Sequence, residues 1–402
     1  MESLFKLHRH WEETHAQRYY ASWPSHDNVR DPKRRMRIGF VSPDLGHHPV
    51  GFFARPLLDN LPKNEIQSVV YSDRMGDEIT TQIRATVDTW NDTRGLSDDI
   101  LAQKILNDQI DILFDLSGHT GGNRLLLFAR KPAPIQISWA GYVGTTGLSA
   151  IDYVLSDRYS TLENEERYYS ETIIRMPDGW LCYAPPETAP DCGPPPFERN
   201  QYITFGSFNN ITKINDDVIS AWSKILAKTP KSRLLIKYTG VDSTQWKEYL
   251  EHTFAAEGIA LSRLILEDGS PHDLLLSRYN DVDIALDPFP YSGGLTTYEA
   301  LWMGVPVVTF PGQTFASRHS LSHLSTLGLS ELAGNDETHY VNIAVALAND
   351  PDRLKEIKSG LRQKMAASPI CDGKLFAQNF TTLMRQVWET WCQEGNTAQA
   401  SV

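Results

Sequence analysis

Positive charge is in short supply. The sequence holds 38 Lys and Arg against 50 Asp and Glu, a formal net charge of −12. Broad binding to nucleic acid or to an anionic membrane needs a basic surface, so neither partner class is expected. Long apolar runs are missing as well. No stretch approaches the roughly 18 apolar residues of a membrane span, and Met1–Lys6 has no apolar signal core. Cysteine is sparse: Cys182, Cys192, Cys371 and Cys392 show no metal-like spacing. Free thiols in a reducing cytosol are expected, with a Cys182–Cys192 bridge open only to an exported chain. There is no Gly-x-x-x-x-Gly-Lys-Ser/Thr loop for a nucleoside triphosphate. A Gly-x-Gly-x-x-Gly turn after the first strand is missing too, which weakens a dehydrogenase reading.

What is present suffices for two cores. The chain has 402 residues, 41% hydrophobic and 22% charged, and one core rarely grows past about 250–300 residues. Residues 1–35 read as a helix over 1–23 followed by a polar linker. Strand 36–42 then opens an alternation of short apolar runs and amphipathic segments: strands at 68–71, 110–116, 135–139 and 153–155, with a helix near 97–106. A Pro-rich linker over 186–200 interrupts it. The alternation resumes with strands at 203–208, 233–238, 264–266, 282–286 and 306–310, and helices at 216–228, 244–256, 272–279 and 297–303. Buried strands alternating with helices imply parallel sheets covered on both faces. The expected fold is α/β, with two doubly wound, Rossmann-like lobes (36–185 and 201–372) and a cleft between them. A last helix within 373–402 is expected to pack back on the first lobe.

Ligands of open α/β sheets bind beyond the carboxyl ends of the strands, so loops that follow strands are the candidate sites. After strand 36–42 comes Gly46-His47-His48-Pro49. A neutral imidazole there can take a proton from a hydroxyl, or it can merely cap the next helix. After strand 110–116 comes Ser117-Gly118-His119-Thr120-Gly121-Gly122, where glycines let backbone N–H groups approach a ligand. After strand 203–208 come Asn209, Asn210 and Lys213. A fixed ammonium there stabilises the charge of a departing diphosphate without a metal, although a lone Lys is more often a solvated surface group. The fourth loop is Asp287-Pro288-Phe289-Pro290-Tyr291-Ser292-Gly293-Gly294-Leu295-Thr296-Thr297-Tyr298-Glu299. A Gly-rich turn opening a helix with two threonines favours a diphosphate, and Glu299 is placed to accept from a ribose. Asp281-Val282-Asp283 has the form of a metal-binding pair but lies at the wrong end of its strand. Neither a metal nor another cofactor is expected.

Taken in order, these loops resemble the catalytic region of the SPINDLY and O-linked N-acetylglucosamine transferase family, glycosyltransferase family 41. The most telling runs are Gly118-His119-Thr120, Arg130-Lys131-Pro132-Ala133-Pro134-Ile135-Gln136, Gly206-Ser207-Phe208-Asn209-Asn210 with Lys213, and Thr296-Thr297-Tyr298-Glu299-Ala300-Leu301-Trp302-Met303-Gly304-Val305-Pro306. The resemblance spans about residues 36–390. It implies a GT-B fold and an inverting, metal-independent transfer from a nucleotide-sugar to Ser or Thr of a protein acceptor. It places Asn209, Asn210, Lys213, His272, Ser292, Gly293, Gly294, Thr296, Thr297 and Glu299 at the donor, with Lys213 and His48 as catalytic residues. His47, His48, His119 and Thr120 fall on the acceptor side. The family usually carries tetratricopeptide repeats before the catalytic lobes, whereas one short helix precedes the first strand here. The chain is therefore either a repeat-less member or a fragment. Leu295 stands where the animal enzymes have His, and His272-Asp273 and Leu181-Cys182-Tyr183 are closer to the SPINDLY branch. The donor is UDP-N-acetylglucosamine or GDP-fucose, the former slightly favoured. A nucleotide-sugar epimerase or small-molecule glycosyltransferase, and a non-catalytic nucleotide-sugar sensor, are the alternatives.

Overall fold

A computed structural model describes residues 1–400, with side chains through residue 394. The chain divides into two units. The first joins residues 1–184 to the segment from Asp372 onward, and the second is Pro185–Cys371.

The first unit holds seven strands: β1 (Met36–Ser42), β2 (Ile66–Ser72), β3 (Thr89–Asp92), β4 (Ile112–Asp115), β5 (Ile135–Ser138), β6 (Tyr153–Asp157) and β7 (Thr172–Met176). They form one sheet in the order β3-β2-β1-β4-β5-β6-β7. All pairings are parallel, with Ile38 opposite Ser68 in β2 and Ile112 in β4. Ile38, Phe40, Ile112, Leu113 and Phe114 are fully buried. Crossover helices cover both faces, which is why these strands read as continuous apolar runs rather than alternating ones. The order reverses between β1 and β4, so the loops after these two strands part and leave a crevice at the carboxyl edge.

The second unit repeats the plan with β8 (Thr204–Ser207), β9 (Arg233–Lys237), β10 (Leu264–Glu267), β11 (Ile284–Leu286) and β12 (Val307–Val308). Their order is β10-β9-β8-β11-β12, again all parallel. Its reversal falls between β8 and β11.

Several boundaries differ from those read off the sequence. The expected strand 110–116 narrows to β4, and 306–310 narrows to two residues. Strands β3 and β7 went unread because Thr89-Trp90-Asn91-Asp92 and the partly exposed Thr172–Met176 are edge strands without a continuous apolar run. The Pro-rich stretch is no free linker. Its Gly193 N–H donates to Asn280 Oδ1 at 2.7 Å, Phe197 N–H donates to Asp283 Oδ1 at 3.1 Å, and Pro196–Asn200 is a short helix. The stretch 24–35 is equally well tied. Asn28 Nδ2 donates to Asp111 Oδ1 at 2.7 Å, and Arg34 pairs with the same buried carboxylate at 2.6 Å. The final helix, Gly373–Ala400, belongs to the first unit. Phe380 packs 5.3 Å from the Phe114 ring, and Trp388 Nε1 donates to Asp31 O at 3.1 Å.

Candidate active site

In the second unit, both loops at the sheet reversal converge on Lys213. After β8 the chain turns through Asn209 and Asn210 into one 3-10 turn, Ile211–Lys213. Asn215 then caps the helix Asp216–Lys228 by accepting from Val218 N–H at 3.0 Å, as its type and position dictate. This brings the Lys213 ammonium 2.9 Å from Ser292 O and 3.3 Å from Asn209 Oδ1, and 4.3 Å from the centre of the Tyr291 ring. Asn209 Oδ1 also accepts from Thr296 Oγ1 at 3.1 Å. One amide oxygen thus joins the cation to the start of the helix Leu295–Trp302. Burial lowers the Lys213 pKa to about 8, opposed in part by the buried Asp287 carboxylate. Lys131, more deeply buried than the half-buried Lys213, pairs with Asp152 at 2.6 Å. Lys213 has no such partner: among the described residues its hydrogen-bond acceptors are neutral.

The turn from β11 is held by Asp287. Its Oδ1 accepts from Gly293 N–H at 2.6 Å and its Oδ2 from Thr309 Oγ1 at 2.7 Å, while Tyr340 OH donates to its carbonyl at 3.1 Å. Burial raises the Asp287 pKa. Ser292 Oγ accepts from His319 N–H at 2.9 Å. Gly293 must be glycine, because a Cβ there would lie 2.5 Å from Thr297 Oγ1 and 2.8 Å from Thr296 Oγ1. Gly294 precedes the helix at its N-cap.

The expected donor residues separate into three groups. Asn209, Lys213, Ser292, Gly293, Gly294 and Thr296 form the cradle. Thr297 is buried within it and bonds Gly293 O at 3.1 Å and Ser320 Oγ at 2.8 Å, so its hydroxyl shapes the turn. Glu299 and His272 meet each other, with His272 Nε2 and Glu299 Oε1 2.7 Å apart. Asn210 stands aside, since its side chain accepts from Thr212 N–H and Oγ1 at 3.0 Å each. Asp281 is taken up by Arg199 and Arg278, and Asp283 is buried and accepts from Phe197 and Thr204 N–H. That pair is structural.

In the first unit the histidine loops follow β1 and β4, the two strands at its reversal. His47 is exposed, and its N–H donates to Asp77 Oδ2 at 2.7 Å. His48 caps the helix Pro49–Asn60, its Nδ1 accepting from Val50 N–H at 3.3 Å. Burial lowers its pKa. His119 donates from Nε2 to Thr146 O at 2.7 Å. Thr120 closes its own turn by donating to Ser117 O at 2.7 Å. Below this turn Asp115 is fully buried, accepts from Ser117 and Gly118 N–H, and has its pKa pushed up to about 6 by burial.

A profile for glycosyl transferase family 41 matches residues 14–183 and 198–380. The chain belongs to glycosyl transferase family 41. Within the family it is 37% identical over 401 residues to the SPINDLY protein of Petunia hybrida, and 37% identical over 405 residues to that of Arabidopsis thaliana. Both are named as probable UDP-N-acetylglucosamine–peptide N-acetylglucosaminyltransferases. These matches take in 97% and 98% of this chain but only 42% and 43% of the relatives' length. Among solved structures, a mutant O-GlcNAc transferase of Thermobaculum terrenum superposes with a TM-score of 0.92 at 34% identity, covering 97% of this chain and 74% of its own. HepE of Anabaena, in complex with UDP, shares the GT-B fold alone: TM-score 0.56, 10% identity, 87% of this chain and all of the other.

Sequence reasoning missed the residues behind this family 41 cradle. Asp287, Thr309, Ser320 and Tyr340 come from four separate segments and assemble only in the fold. The one available signal was Asp287, an acidic residue ending an apolar strand, where a carboxylate is costly unless hydrogen-bonded.

Proposed function

We propose that the chain is a metal-independent, inverting protein O-glycosyltransferase that moves N-acetylglucosamine from UDP-N-acetylglucosamine to Ser or Thr. The single observation behind this is the half-buried Lys213 ammonium, which forms no salt bridge among the described residues and is joined through Asn209 to the Thr296 helix start. A protein keeps a partly desolvated cation without an ion-pair partner at a cost, and an anionic ligand offsets it. As the acceptor oxygen bonds to the anomeric carbon, the bond from that carbon to the diphosphate breaks. Its electron pair stays on the diphosphate, and Lys213 with the helix start stabilises that charge. The relatives' printed names support the UDP-N-acetylglucosamine donor and the peptide acceptor. Glu299, oriented by His272, is suited to hold the ribose. His48 lies on the acceptor side with His47, His119 and Thr120.

The test is transfer of label to lysate protein or peptide from UDP-N-acetylglucosamine, run beside GDP-fucose and with EDTA. Label from the first donor, undiminished by chelator, is expected. Label from GDP-fucose alone would overturn the donor, and loss of activity with EDTA would overturn the metal-free mechanism. Consumption of donor without labelled protein would overturn the protein acceptor.

A further inference from the structure

Lys213 is held by three contacts within the second unit, and one of them is aromatic. Its ammonium carries three hydrogens. Ser292 O takes one at 2.9 Å and Asn209 Oδ1 another at 3.3 Å, which leaves the third without an acceptor among the described residues. The Nζ also lies over the Tyr291 ring, 4.3 Å from its centre. That ring is itself fixed. The next residue, Ser292, donates its N–H to Ala316 O at 3.0 Å and accepts at Oγ from His319 N–H at 2.9 Å. The His319 ring meets the Tyr291 ring edge-on at 5.9 Å. Tyr291 is 43% exposed, so part of it borders solvent.

The titratable groups around the ammonium are Asp287, His319 and Tyr291. Asp287 is buried, and its oxygens accept from Gly293 N–H and Thr309 Oγ1 rather than from Lys213. Burial, and then the Lys213 charge, push the His319 pKa down to about 3, so that ring is neutral. Desolvation raises the Tyr291 phenol pKa, so the phenol stays protonated through the range in which Lys213 titrates. A π face therefore stands where the buried Lys131 has the Asp152 carboxylate. The difference is chemical. A carboxylate cancels the positive charge and repels an anion arriving at the same ammonium. The face of a phenol ring attracts the cation through its quadrupole and adds no net charge.

We propose that Tyr291 is a positioning residue of the donor site: its ring face keeps the Lys213 ammonium charged and in place without neutralising it, so that the full charge meets the leaving diphosphate. The inference rests on the reading of Lys213 as the cation that receives the diphosphate. It concerns the second unit alone, and UDP binding is enough to test it.

The experiment measures UDP affinity by calorimetry from about pH 6.5 to 9.5, with cooperative melting as the check on folding. Wild-type affinity falls above pH of about 8 as Lys213 loses its proton, and Lys213→Ala lacks this fall. Tyr291→Leu keeps an apolar cover but removes the π face. It moves the midpoint of the fall down by about 0.5–1 pH unit, the scale of a cation–π contact. At a pH of about 8.5 its affinity is then roughly three- to eightfold below wild type, while at about 6.5 the two agree within about twofold. A side chain that merely shaped the turn would weaken binding equally at both. Tyr291→Phe restores the ring and with it the wild-type midpoint. Should Tyr291→Leu not fold, Tyr291→Trp, whose face binds cations best, moves the midpoint up. The positioning role is overturned by a midpoint unmoved or raised in folded Tyr291→Leu, by equal loss at both pH values, or by a midpoint unmoved or lowered in Tyr291→Trp. A wild type whose UDP affinity shows no alkaline fall, or a Lys213→Ala variant that binds UDP as tightly as wild type, would instead sink the reading of Lys213 itself.

Discussion

The two sheet reversals of this chain have the same topology and opposite electrostatics. Between β8 and β11 the loops hold a half-buried ammonium that forms no salt bridge among the described residues, linked to a helix start. Between β1 and β4 they hold neutral imidazoles whose pKa values burial depresses. The topology supplies a crevice in each case. The side chains decide whether that crevice suits an anion or a proton transfer. A cation costs a great deal to bury, whereas an imidazole can simply give up its proton. On the proposed reading the first suits a ligand of negative charge and the second an uncharged one.

The largest effect that would break this contrast is expected at Lys213. Lys213→Ala lowers kcat roughly 100- to 1000-fold, while the melting temperature stays the same or rises, since a half-buried charge without an ion-pair partner is removed. Steady-state kinetics with a melting curve check both, and a variant with near-wild-type kcat would erase the distinction between the two reversals. Next comes the turn that frames the cation. Gly293→Ala forces a methyl against Thr297 and Asp287, at about 1–3 kcal/mol of strain. Weaker UDP binding by calorimetry, with a lowered melting temperature, is the expected result.

A pH profile sharpens the comparison. The Lys213 charge is present below its pKa of about 8 and is lost as pH rises through it. The kcat/KM, which reports the free enzyme, should then fall about tenfold per unit above that point. Lys213→Arg, whatever its rate, should lack this alkaline limb because guanidinium stays charged. The smallest effect is expected from Glu12→Gln in the first unit. It weakens charge-assisted bonds to Ser149 N–H and Tyr20 OH and costs about 1–3 kcal/mol in stability. UDP affinity should not change, and a loss of affinity would show that the two units are not energetically separate.

Most strands were legible because their residues are apolar on both faces, as in Ile284-Ala285-Leu286. Those at the sheet edges, such as Thr89-Trp90-Asn91-Asp92, were not, because half-exposed edges need no apolar run. The candidate site followed the same rule. Lys213, the Gly293-Gly294 turn and the threonines were visible because they are continuous in sequence and follow strands. Asn210 looked equivalent to Asn209, yet it turns back to cap Thr212, a choice between local and distant hydrogen bonds that spacing does not reveal. His48 and His119 were indistinguishable as residue types, and only their backbone partners separate them.

The order of apolar runs, glycines and prolines was enough to determine two doubly wound lobes and the loops that follow their strands, since periodicity and φ preference are properties of short segments. The tertiary structure alone decided which polar atoms remain available. Asp287, Thr309 and Tyr340 meet from distant segments, Glu299 is engaged by His272, and the ring of His8 from the N-terminal helix packs on His119. The reason is that burial and hydrogen-bond saturation, which govern charge and protonation, depend on neighbours remote in the chain.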